Sequence, residues 1–145
     1  MDLDFTIKLE DNTADVKKAE KSAISRALFA MGEKAVEGSV DAISGIYGGD
    51  LQAVDTGRLR ASISFVTPEG KGKRIIPKSV ASKPGDEISG TSDENSAIVG
   101  SNVEYAEYVH NGTVKMGARP FLRTGIDKTR EEMERQVKKI FEGEL

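Results

Sequence analysis

The sequence predicts an α+β fold, with a small antiparallel or mixed sheet packed against a long N-terminal helix and a C-terminal helix, and a long irregular loop between them. Three observations point there. Leu3, Phe5, Ile7 and Leu9 alternate with Asp2, Asp4, Thr6 and Lys8, the period-two pattern of a strand with one buried and one wet face. Ile24, Leu28, Met31, Ala35, Ala42 and Ile46 recur at spacings of three, four or seven, which draws one apolar stripe along a helix. Leu122, Ile126, Met133, Val137 and Ile140 do the same near the carboxyl end.

Taken in order, the alternation predicts a strand over 2–9. Asp11, Asn12 and Thr13 offer side-chain oxygens to the unpaired amides of a following helix start. The stripe predicts a helix over 14–47, about 50 Å long, ended by Gly48 and Gly49. Gly32 and Gly38 interrupt it at a cost of about 1 kcal/mol each relative to alanine, which implies a bend or a close helix contact. Asp55 or Thr56 suits the cap of a short turn. Leu59, Ala61, Ile63 and Phe65 alternate, giving a strand over 62–67. Leu59 and Ile63, four apart, share a buried face under either periodicity.

Residues 68–95 hold Pro68, Pro77, Pro84, Gly70, Gly72, Gly85 and Gly90 and predict a long irregular loop. Loops of that size are normally functional or ordered only by a partner, so the segment is expected to be mobile in a free subunit. Lys71, Lys73, Arg74, Lys78 and Lys83 make its first half positive, while Asp86, Glu87, Asp93 and Glu94 make the second negative. Ala97, Ile98 and Val99 read as a strand. Val103 to His110 reads as a short helix stopped at Asn111-Gly112, and Pro120 presets the first turn of the last helix.

The 145 residues fit one domain, 1–145, able to bury roughly two thirds of its unfolded surface. There is no cysteine, which excludes a disulfide framework and thiolate chemistry. With 21 basic and 24 acidic side chains, the net charge of −3 gives no global attraction to phosphate. The acidic Met1-Asp2-Leu3-Asp4 start and the lack of a long apolar run predict a soluble protein with no membrane association.

Catalytic signals are weak. His110 is the single histidine, and a surface imidazole at a helix end lacks the orienting carboxylate and nucleophile that general-base work needs. Glu104 and Glu107 lie three apart, as a solvated helix face would, although a small hydrolase built on either is the enzymatic alternative. Neither cysteine pairs nor an Asp-rich calcium loop suggests a metal; no cofactor or metal is expected. Gly70-Lys71-Gly72-Lys73-Arg74 lacks the strand, helix and Lys-Ser/Thr ending of a phosphate loop. As a basic patch, Lys71, Lys73, Arg74, Lys78 and Lys83 instead suit nonspecific DNA contact or an acidic protein neighbour, and a nucleic-acid-binding protein is the second alternative.

Three short motifs remain: Thr56-Gly57-x-Leu59-x-x-Ser62-Ile63; Tyr105-Ala106-x-x-Val109 with Gly112-Thr113; and Pro120-Phe121-Leu122. In this order, between two terminal helices and across residues 14–145, they resemble the head-tail joining or tail-completion family of long-tailed bacteriophages and prophages. The resemblance implies an α+β virion structural protein that forms a ring at the neck or upper tail, through which DNA passes. The ring is expected to be hexameric when assembled, from subunits often monomeric alone, and to contact neck adaptor and tail-tube proteins. The implied location is the virion, with the host cytoplasm during assembly; tail terminator or another minor tail component is the related alternative. The resemblance makes Thr56, Gly57, Leu59, Ser62, Ile63, Tyr105, Ala106, Gly112, Thr113, Pro120 and Phe121 the motif residues, mostly architectural. His110-Asn111 stands where the family often has an acidic residue.

Overall fold

The computed structural model describes residues 3–9, 20–46, 56–71, 82–115 and 117–143. The chain runs β1 (Leu3–Lys8), α1 (Lys21–Ile43), α2 (Thr56–Ser62), β2 (Ser64–Thr67), β3 (Gly70–Lys71), β4 (Ser96–Ser101), α3 (Ala106–Asn111) and α4 (Phe121–Phe141). The predicted α+β class with its two long helices is what the chain adopts. Among the described residues all strand pairings are antiparallel, in the order β1-β4-β2-β3. In β1 the alternation holds, with Asp4, Thr6 and Lys8 exposed and Leu3 buried.

Register places Phe5, Val99 and Phe65 side by side on one face, and α1 lies over that face. Phe65 is wholly buried, and it packs so tightly beneath Gly32 that a Cβ there would enter its ring. On its other side α1 crosses α4. Gly38 and Ser39 approach Gly125 and Thr129 until a Cβ at Gly38 would overlap the Gly125 carbonyl oxygen. Gly38 is therefore the close helix contact expected of it, and Gly125 is its counterpart. Lys34 ties the two helices from outside, with Nζ 2.8 Å from a Glu132 oxygen. Leu28, Val36, Ile43, Leu59, Ile63, Val103, Phe121 and Leu122 complete the core.

Several boundaries differ from expectation. Helix α1 starts at Lys21, since Glu20 is extended (ψ 152°), so it spans about 35 Å; the stripe itself begins only at Ile24, one turn further on. At its other end Gly45 turns the backbone left-handed (φ 83°), which leaves Ile46 outside the stripe and exposed. The expected cap at 11–13 and the Gly48-Gly49 stop fall outside the described residues. Ser62 closes α2 rather than opening a strand, because its hydroxyl donates back to the Leu59 carbonyl. Leu59 and Ile63 are nonetheless both buried.

The loop between β2 and β4 begins as a tight hairpin through Pro68-Glu69 into β3. Its acidic half is anchored, contrary to a segment free until a partner orders it. Asp86, Glu87 and Ile88 are buried, the Ile88 amide donates to Ser64 Oγ, and the Ser92 amide donates to the Thr67 carbonyl. This stretch covers the second face of β2, all four residues of which are buried.

Candidate functional site

The first two motifs and the anchored loop meet at Arg58. From α2 its Nε and Nη2 donate to Asp86 Oδ2 and Oδ1 at 2.9 and 2.8 Å. Nη1 and Nη2 donate to the two Glu104 oxygens, each at 2.9 Å, and the guanidinium sits 5.8 Å from the Tyr105 ring centre. Such two-pronged pairing is the strong, geometrically selective mode of arginine. Asp86 is held further by the Lys83 amide at 2.9 Å, and its carbonyl accepts the Asn102 amide. Arg58 holds the carboxyls of Asp86 and Glu104 below their ordinary range, through hydrogen bonds first. Glu104 is thus fixed as a carboxylate on Arg58, which is the opposite of a general acid poised near neutrality.

A hydroxyl relay backs this clamp. Ser62 Oγ lies 2.5 Å from Ser101 Oγ, and Ser101 Oγ accepts the Val103 amide. Ser64 Oγ donates to the Ser62 carbonyl. Because Ser62 already donates to Leu59, Ser101 supplies the shared proton. Buried hydroxyls satisfied this way fix relative positions of elements.

The third motif builds a second cluster. Expected at the surface, His110 is instead 2% exposed, its ring between Phe5 and Phe121 at 5.2 and 5.4 Å. Nε2 accepts the backbone amide of Arg123 at 3.3 Å, which leaves the proton on Nδ1, 3.1 Å from Asn111 Oδ1. Arg123 is the third residue of α4, so the imidazole satisfies one of the amides a helix start leaves unpaired. Helical spacing offered the clue: His110 follows buried Ala106 by four, on the same face. Burial first, then Arg123, holds the imidazole below its ordinary value.

The remaining motif residues sit at the ends of elements. Thr56 and Gly57 form the first turn of α2. Gly112 ends α3 at φ 81°, the exposed Thr113 accepts the Lys115 amide, and Pro120 precedes α4 with φ −74°. Arg58 occupies a position the motif leaves open, and the sequence alone does not mark it. Nothing local distinguishes it from Arg60, and its partner Asp86 lies 28 residues away. Of the basic patch, Lys83 is exposed, while the side chains of Lys71, Lys73, Arg74 and Lys78 lie outside the described residues.

A shallow depression of about 280 Å³ lies on α1, lined by Ser25, Arg26, Phe29, Ala30, Glu33 and Glu69, away from Arg58 and His110. Among the described residues no group of three His, Asp or Glu side chains is placed to hold a metal ion, and no helix is long and apolar enough to cross a membrane.

Both clusters predict an acid response. His110, whose folded value lies below its ordinary 6.5, takes a proton first in the unfolded chain, so its contribution is full above about pH 6.5 and declines below it. Asp86, depressed below 3.8, keeps its contribution above about pH 3.8 and loses it as pH falls through the folded value. Thermal unfolding across this range is expected to show a two-stage fall in melting temperature. His110→Gln should remove the upper stage and Arg58→Ala shrink the lower one. A melting temperature unchanged from about pH 8 to 5 would contradict the buried neutral imidazole.

Comparison of the chain with protein-family models, with characterised proteins and with solved structures finds no match.

Proposed function

We propose that this chain is a noncatalytic structural part of a long-tailed phage or prophage particle, a subunit of a ring at the head-tail junction or upper tail through which DNA passes. The observation that carries this reading is the use made of the motif residues. Leu59, Ser62, Ile63, Ala106 and Phe121 are buried, and Tyr105 lies beneath Arg58, so the motifs go into shaping a rigid domain. Arg58 and His110, the groups best suited to chemistry, are both engaged in holding elements together. A ring subunit needs such a fixed wedge, because angular error accumulates around a closed assembly.

The test is negative-stain electron microscopy of the purified protein mixed with tail tubes of the phage or prophage that encodes it. Annular density capping one end of the tubes is expected. Bare tubes at saturating protein would refute the placement.

A further inference from the structure

The geometry points to a head-to-tail contact in which the Thr113–Lys115 corner of one copy, led by Val114, seats in the depression on α1 of the next. This inference rests on the ring reading and names the two faces that mate.

The two features sit at opposite ends of the sheet. The depression lies on the β2–β3 side, where Phe29 packs edge-on against Phe65 of β2 at 5.1 Å and Ser25 Oγ donates to Glu69 of the β2–β3 turn at 2.8 Å. The corner lies on the β1 side. It follows α3, whose His110 packs at a tilt against Phe5 of β1, and the Arg119 amide donates to the Val109 carbonyl. With the strand order β1-β4-β2-β3, the corner and the depression are separated by the width of the sheet. A contact between unlike patches on opposite sides of a subunit is heterologous, the kind that propagates around a ring instead of stopping at a dimer.

The chemistry of the two patches matches. Val114 is fully exposed, an apolar side chain at the tip of a corner, and a depression lined in part by Phe29 and Ala30 offers it an apolar seat. Residues 111–119 carry Lys115 and Arg119 and no acidic side chain, whereas the depression presents Glu33 and Glu69 beside Arg26. Opposite charges around an apolar contact fix its orientation and disfavour self-pairing of either patch. One side chain in a shallow seat is a small contact, far below what a stable dimer buries, so it gains strength only when repeated around a closed ring.

The absence of native cysteine makes the test direct. The full chain carrying Ala30→Cys and Val114→Cys is oxidised and run under denaturing conditions, beside each single variant and beside native mass spectrometry of the parent. A ladder rising from dimer to closed ring in the double variant, absent from both single variants, is the expected result. Val114→Asp should leave the melting temperature unchanged and raise the concentration for half-assembly about tenfold or more. Rings that form without a disulfide between positions 30 and 114 of neighbouring copies, or with Val114→Cys homodimers as the main product, would overturn this contact and leave the ring reading standing. A parent that stays monomeric at every concentration and on tail tubes, with no cross-link, would overturn both.

Discussion

Gly38→Val is expected to leave little cooperatively folded protein at room temperature, and Gly38→Ala to lose about 1–3 kcal/mol. On an exposed helix the alanine change would gain about 1 kcal/mol through propensity. Here the added Cβ meets the Gly125 carbonyl oxygen and comes within 2.7 Å of Thr129 Cγ2. The obstacle is partly backbone, so rotamer changes cannot clear it and α1 and α4 must separate. Overpacking costs of about 1–3 kcal/mol per misfit are usual, and a branched side chain at a backbone crossing lies beyond that range, against a total stability of roughly 5–15 kcal/mol. Gly125→Ala should behave like Gly38→Ala, because its Cβ would strike Gly38 and Ser39 backbone. Urea unfolding measures both, and a Gly38→Ala protein as stable as the parent would show that the helices do not cross there.

Phe121→Ala should cost about 3–5 kcal/mol, the usual range for a buried phenylalanine. Phe121 is 0% exposed, begins α4, and meets the His110 ring edge-on. Its loss would unseat the imidazole that satisfies the Arg123 amide, so the upper stage of the acid response should weaken in the same variant. Phe121→Asp, like Leu59→Asp, places a charge at a fully buried apolar position and should abolish cooperative folding. Circular dichroism melts decide this. A Phe121→Asp variant that melts cooperatively within a few degrees of the parent would contradict the burial assigned to the third motif.

What was legible in the sequence is what periodicity encodes. The strand at Leu3–Lys8, the burial of Leu59 with Ile63, and the inward stripe of Leu122, Ile126, Met133 and Ile140 follow from which positions share a face. Gly38 was legible because a glycine retained inside a helix carries a cost that a close approach explains. Contacts between elements far apart in sequence were not. Arg58 finds Asp86 and Glu104 28 and 46 residues away, and Gly125 gains its meaning only from the helix that crosses it. His110 departs from the expected surface position for a different reason. A polar residue at a helix end is usually wet, and its burial depends on Phe5 arriving from the first strand. Residues 82–95 looked unstructured by composition, yet Asp86 and Ile88 pack because a clamp and an amide bond hold them.

That the chain is a self-assembling building block is tested most directly by native mass spectrometry of the untagged protein over a rising concentration series, with and without tail tubes. The expected spectrum passes from monomer to a single closed oligomer, a hexamer on the resemblance drawn from the motifs, with no open-ended series between. Monomer alone under every condition, or a continuous ladder of sizes that never closes, would contradict it.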